Sequence, residues 1–342
     1  MQELTFVGPG QIEWREVPAP ALEGDVEALV RPIAVATCDL DAVIVRGLTP
    51  FPAPFALGHE FVAEVLDIGD TVSTVRPGDR VVVPFEISCG TCAFCTRGLT
   101  ANCVTVPRNS MYGFGTWSRN WGGALADVVR VPFADHMLVK LPAGVLPAAA
   151  ASAADNIADG WRAVVPQLRQ RPGAPVLILA GGRAASIPLY AAAIALALGA
   201  ERVDFYDTDE QRLAIARTIK ANANLLETLP DRLGSYPITV ESSGDPKGLA
   251  CALRSTEPGG HCTITSMYGL SLVPVPMTEM YMKGITVSTG RVQSRTLVPE
   301  VLNLIETRRI APELITTETV GWHEAAEAIM HYTTKLIILR ES

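Results

Sequence analysis

Seven cysteines occur in this chain of 342 residues, and four of them crowd into one short segment. In CGTCAFCTRGLTANC the thiols stand at Cys89, Cys92, Cys95 and Cys103, with two residues between each of the first three and seven before the last. Thiolates spaced this way on a tight loop can surround a tetrahedral Zn2+ at about 2.3 Å per bond. Gly90 and Gly98 supply the sharp turns such a loop needs. Free thiols or two disulfides are the alternative, but clustered cysteines in a chain with no visible export signal read first as metal ligands. A [4Fe–4S] cluster would be expected with a second Cys-rich run or a trailing Cys-Pro, and neither is present. Four thiolates leave no open position, so the zinc expected here is structural.

A weaker signal comes from Cys38 in TCDLD (37–41) and from His59 and Glu60 in LGHEF (57–61). A lone cysteine is commonly a small buried hydrophobe, and a lone histidine a structural side chain. A catalytic zinc takes about three protein ligands and one exchangeable position. Cys38 and His59 supply two, and the residues alone leave the third open.

LILAGGRAASIPLYAA (177–192) falls between a predicted strand and a predicted helix, where a dinucleotide fingerprint belongs. The usual G-x-G-x-x-G uses its glycines for the turn, for close approach to pyrophosphate and for helix–strand packing. Gly181 and Gly182 are present, whereas Arg183 and Pro188 stand where later glycines are expected. A plain strand–helix turn is therefore the alternative. Ser186 opens a helix with Pro188 in its first turn, and helix N–H groups can hold phosphate. Arg183 either adds a charge contact there or clashes. Asp207 ends the next strand, 25 residues after Gly182. An acid at that point binds the adenosine ribose hydroxyls and repels a 2′-phosphate, which favours NAD over NADP. Its alternative is an N-cap for the helix from 209.

The elements that would position these residues fall into two textures. The first part is β-rich, with runs at 27–37, 61–69 and 80–85 and a PGD turn at 77–79, which suggests a Greek-key barrel. From 146–168 an Ala-rich helix is expected. Strands at 175–180, 202–207, 237–242, 261–266 and 284–290 then alternate with helices at 186–200, 209–221 and 247–256, predicting a doubly wound parallel sheet. Helices at 296–308 and 323–331 and a strand at 335–340 follow. Length suggests two domains. A composition 48% hydrophobic and 19% charged is that of a globular chain. A net charge of −8 argues against nucleic acid or an anionic membrane surface as partner. No apolar run reaches the ~20 residues needed to span a bilayer, and a soluble cytoplasmic protein is expected.

The order of Cys38, GHE at 58–60, RPGDRV at 76–81, the four-cysteine lobe and a βαβ nucleotide segment resembles the zinc-dependent medium-chain alcohol dehydrogenase family over nearly the whole chain. The resemblance implies an α/β fold: a GroES-like β-rich catalytic domain (1–152 and 293–342) and a Rossmann NAD-binding domain (153–292). It implies a catalytic zinc on Cys38, His59 and Asp155, the last in AADNIADGW (153–161), with Glu60 assisting ligand exchange. Without it, Asp155 reads as a helix N-cap. Arg212 becomes a candidate beside the ribose, its alternative being a solvated helix face. The implied activity is hydride transfer between NAD(H) and a small-molecule alcohol or carbonyl compound, in a homodimer or homotetramer carrying one catalytic and one structural zinc. Pocket candidates are Leu40, Trp117 and Trp121. Departures from the family pattern are Leu40, where Ser or Thr starts a proton path, Val43, where His is common, and Asp159, where a small hydroxyl residue is common. With Arg183 and Pro188, they leave a second reading: a nonredox or weakly active homologue acting as a zinc-stabilised nucleotide-binding or regulatory protein. A zinc-free quinone or enoyl reductase would make Cys38 and His59 coincidental.

Overall fold

The β-branched runs of the N-terminal part form strands: Ala28–Ala36 alternates more and less buried side chains over its first half, whereas Glu60–Ala63 and Val81–Val83 are buried on both faces. The computed structural model describes residues 1–181, 186–269 and 272–341. These divide into two units, Met1–Ala158 with Val292–Ser342, and Asp159–Arg291.

In the first unit, among the described residues, a seven-stranded sheet runs in the order Glu318–Gly321, Leu336–Leu339, Ala28–Ala36, Glu60–Ile68, Arg80–Val83 and Val139–Lys140, with Val129–Val131 also paired to Ala28–Ala36. Val30, Ala34, Val62, Val82 and Ile338 are fully buried in its core. Two pairings set the site. Ala36 lies opposite Glu60 on one side and opposite Ile337 on the other, both antiparallel. That register brings Cys38, His59–Glu60 and Lys335, distant in sequence, to one end of the sheet. A smaller sheet of Gln11–Glu16, Gln2–Gly8 and Phe55–Ala56 adjoins them in sequence.

The second unit holds a parallel six-stranded sheet in the order Asn222–Leu225, Val203–Asp207, Val176–Leu179, Tyr236–Glu241, Thr256–Ile264, Thr286–Thr289. Numbered along the chain this is 3-2-1-4-5-6, the doubly wound dinucleotide-binding order, whose switch point lies between Val176–Leu179 and Tyr236–Glu241. Helix Ser186–Ala197 contains several buried alanines, which permit close packing. Gly160 is required there: a Cβ would stand 2.8 Å from the Ala191 nitrogen.

The Ala-rich segment is not the single helix expected over 146–168. Helix Pro147–Ala150 passes into a 3-10 turn, Ala151–Ala154, and stops at Asp155, whose φ of −145° and ψ of −83° leave the helical region. A new helix, Asn156–Gln170, then begins and carries Pro166 inside it. No helix among the described residues is long and apolar enough to cross a membrane.

Candidate functional site

Cys38 lies two residues beyond the strand Ala28–Ala36, His59 immediately before the strand Glu60–Ile68, and Asp155 at the break between two helices. The thiol of Cys38, a ring nitrogen of His59 and carboxylate oxygens of Glu60 and Asp155 all lie within 4.8 Å of one another. Tetrahedral zinc with bonds of 2.0–2.3 Å needs donors about 3.5 Å apart, so small side-chain adjustments suffice. His59 Nε2 is 3.4 Å from Asp155 Oδ2, and its Nδ1 faces Asp41 Oδ1 at 3.9 Å.

The electrostatics of this group call for a cation. Burial first, then the carboxylates of Asp155, Glu60, Asp41 and Asp39, push the Cys38 thiol well above its ordinary range. Burial also lifts Glu60 to about 8 against the pull of Lys335. At His59 burial opposes the charged ring, but Asp41, Asp155 and Glu60 prevail and raise it to about 9. A buried anionic cluster of this kind recruits protons unless a metal displaces them. Glu60 Oε1 and His59 Nδ1 are buried with no hydrogen-bond partner among the described residues. The donor set of thiolate, imidazole and carboxylate suits zinc with one position left for exchange.

Asp41 and four residues that the sequence reading passed over hold this group. Lys335 Nζ, fully buried, donates to the Thr37 carbonyl and lies 3.4 Å from Glu60 Oε2. Ser152 Oγ donates to the same oxygen of Glu60. The Asp41 carboxylate accepts the Cys38 N–H at 2.8 Å, and Tyr332 donates to the Cys38 carbonyl at 2.8 Å. Asn156 takes the Cys38 thiol on Oδ1 at 3.4 Å and donates from Nδ2 to Asp39 at 3.1 Å. Leu40 is half-buried and brings an N–H, not a hydroxyl, to within 3.5 Å of the Cys38 sulfur.

The second group, Cys89, Cys92, Cys95 and Cys103, also has its sulfurs within 4.8 Å of one another, and all four are free of disulfides. The loop turns at Gly90 (φ +80°) and Gly98 (φ +79°), both in the left-handed region that glycine tolerates. Burial opposes ionisation of Cys89, yet the Thr105 hydroxyl at 3.0 Å and the N–H and hydroxyl of Thr91 outweigh it and bring the thiol down to about 5. Burial pushes Cys95 the other way, up to about 12, so the group shares protons that a bound metal would displace.

At the nucleotide-type sheet, Gly181 has φ +138° after the strand Val176–Leu179, and Ser186 is buried at the start of its helix. Gly182 and Arg183 lie outside the described residues. Asp207 is fully buried and does not cap the following helix; Asp209 does, accepting N–H groups from Gln211 and Arg212. Arg212 is not a solvated residue. Its Nε and Nη2 reach the two Asp207 oxygens at 2.7 Å each, in a buried bidentate pair. Thr208 and Asp209 N–H groups add 2.6 and 3.1 Å bonds to Oδ1. The exposed carboxylate at this corner is that of Asp209, 38% accessible. The unexpected charge of Asp159 is met by Arg162, one helical turn on.

Trp117 and Trp121 separate. Trp117 lies tilted against Phe51, whereas Trp121 lies under the Arg130 guanidinium.

Residues 24–143 match the family model described as the alcohol dehydrogenase GroES-like domain. The chain is similar to a probable zinc-binding alcohol dehydrogenase of Mycobacterium tuberculosis, at 30% identity over 96% of this chain and 84% of that protein. It is 34% identical to a glutathione-independent formaldehyde dehydrogenase of Pseudomonas aeruginosa, over 63% of this chain and 56% of that one. Among solved structures, alcohol dehydrogenase TADH from Thermus sp. ATN1 superposes with a TM-score of 0.89 at 28% identity, covering both chains completely.

Proposed function

Because this chain belongs to the zinc-dependent medium-chain alcohol dehydrogenase family, we propose that it interconverts an alcohol and its carbonyl compound using NAD(H). The convergence of Cys38, His59, Glu60 and Asp155 donors at one end of a sheet carries the reading. Held by Cys38, His59 and Asp155, zinc supplies a Lewis acid for the substrate oxygen. Asp41 faces His59 Nδ1 with its carboxylate at 3.9 Å, an electrostatic rather than a hydrogen-bonded contact, and Tyr332 and Asp41 fix the backbone on either side of Cys38. Lys335 and Ser152 occupy Glu60 Oε2, which leaves Oε1 for transient coordination.

Oxidation removes two electrons from the carbinol carbon as hydride, which a nicotinamide accepts, and one proton from its oxygen. Leu40 and Val43 cannot carry that proton. Asp39, half-buried and hydrogen-bonded to Asn156, is the carboxylate we assign to receive it. The 3-2-1-4-5-6 sheet order supports a dinucleotide. Asp207 and Asp209 against Arg212 leave the end of the second strand with net negative charge, which supports NAD over NADP. The Cys89–Cys92–Cys95–Cys103 group holds the second, structural zinc in this reading. Self-association is supported by the exposed sheet edge Thr286–Thr289 beside the exposed side chains of Met277, Tyr281 and Met282.

The test is metal analysis together with a panel of alcohols and ketones followed at 340 nm with NAD(H) and NADP(H). Two zincs per chain and NAD-linked turnover are expected. Failure to bind NADH or NADPH at millimolar concentration would overturn the reading.

A further inference from the structure

Ring contacts run outward from the metal-donor group in one line. His59 packs against Phe85 with centroids 5.4 Å apart and against Phe114 at 4.7 Å. Phe51 meets Phe114 edge-on, at 5.5 Å and 76°. Trp117 then lies against Phe51 at 5.1 Å. Accessibility rises along the line: Phe85, Phe114 and Phe51 are buried, whereas Trp117 is 44% exposed.

The backbone that carries this wall is fixed. Gly113 donates its N–H to the Gly122 carbonyl and Asn120 to the Gly115 carbonyl, both at 2.8 Å. A Cβ on Gly113 would stand 2.8 Å from the Gly58 carbonyl oxygen, and one on Gly115 would stand 2.5 Å from Phe55 Cβ. The turn Gly115–Ser118 is therefore seated directly on the segment that holds His59. Phe51 is set in TPFPAP (49–54), where three prolines restrict the chain. The four rings are apolar side chains, and Leu40 adds another beside Cys38. Rigid rings of this kind gain most from another ring, which stacks offset or edge-to-face without ordering a flexible chain.

From this line of rings we infer that the substrates are alcohols and aldehydes whose functional carbon is attached to, or conjugated with, an aromatic ring. The ring stacks on Phe51 and Trp117 and the oxygen is directed to the Cys38–His59–Asp155 group. Such an alcohol would give its carbinol hydride to the nicotinamide and its hydroxyl proton, by way of Asp39, to solvent, leaving the conjugated aldehyde. The inference rests on the dehydrogenase reading, and two measurements separate them. In the full, zinc-loaded chain, kcat/KM for cinnamyl alcohol should exceed that for 1-propanol by about 100-fold, the scale of burying one phenyl ring. Trp117→Ala and Phe51→Leu should each lower that ratio about tenfold. Binding of benzamide, an unreactive analogue of benzaldehyde, should weaken about tenfold in Trp117→Ala by calorimetry, with melting temperature confirming the fold. Equal use of hexanol and cinnamyl alcohol, unaltered by either substitution, would overturn the inference. If no alcohol is turned over with either cofactor, the dehydrogenase reading fails, and the calorimetry still decides: an unchanged benzamide affinity sinks the aromatic wall.

Discussion

Lys335 Nζ stands 3.4 Å from Glu60 Oε2, and neither side chain is exposed to solvent. The pair links the strand bearing the His59–Glu60 corner to the segment just before Leu336–Leu339. Removing one partner of a buried ion pair leaves an uncompensated charge and costs about 3–5 kcal/mol. Lys335→Met should lose up to that much in urea denaturation near pH 9, above the value of about 8 to which burial lifts Glu60, and less at neutral pH. Adding Glu60→Gln should restore part of it, because the orphaned charge is gone. A single-variant cost below about 1 kcal/mol would mean that Glu60 is not ionised in the fold.

Gly90 combines a φ of +80° with a neighbour: a Cβ there would lie 2.5 Å from His136 Nδ1. Gly90→Ala must strain the loop or displace the His136 ring, at a cost of about 1–2 kcal/mol from the backbone alone. Zinc measured by atomic emission should fall from about two per chain to about one, the site on Cys38, His59 and Asp155 being retained. Full retention of both ions would contradict the assignment of the lobe.

Acid should weaken the same region in two steps. Burial, then the Arg295 charge, lowers His136 to about 4. The unfolded ring takes a proton near its ordinary pKa of 6.5 and the folded one does not, so stability falls as pH drops from about 6.5 to about 4. Asp135 is held near 2 because the N–H and hydroxyl groups of Ser73 and Thr74 outweigh its partial burial. Its contribution is present above the unfolded carboxylate pKa and is lost as pH falls from about 4 towards 2. Both groups are substantially solvated, so each step should be small. His136→Gln should flatten the melting temperature across the upper window and leave the lower one. An unchanged upper slope would rule out His136.

The corner at Asp207 makes a cofactor prediction. Asp209→Asn keeps a cap-competent side chain but removes the exposed charge, and should tighten NADPH binding about fivefold relative to NADH in fluorescence titration. Asp207→Asn should loosen both dinucleotides alike, since its carboxylate is spent on Arg212. The opposite pattern would return the discriminating role to Asp207.

What was legible in the sequence was what is local or chemically rare. The lobe lies within fifteen residues, and its cysteines announce themselves by spacing. Strands Val176–Leu179 and Val203–Asp207 fall within the stretches 175–180 and 202–207 expected to be strands. Long-range partners left no local mark. Lys335 opens an apolar strand and reads as a surface residue, yet its partner Glu60 is 275 positions away. Asp155 could be placed only by resemblance, because the helix break that exposes it interrupts an alanine run with no glycine or proline to announce it. Asp207 and Asp209 differ by one strand-end register, and composition cannot say which of the two turns inward to Arg212.

The register that sets Ala36 between Glu60 and Ile337 also dictates an order of assembly. The four lobe sulfurs and the Thr105 hydroxyl that favours the Cys89 thiolate all precede residue 106, so this donor set is complete while most of the chain is still being synthesised. The group on Cys38 lacks its contacts to Tyr332 and Lys335 until those residues have emerged, tens of seconds later at ordinary elongation rates. In the two-zinc reading, one donor set is thus completed early, by a segment, and the other late, by the finished sheet.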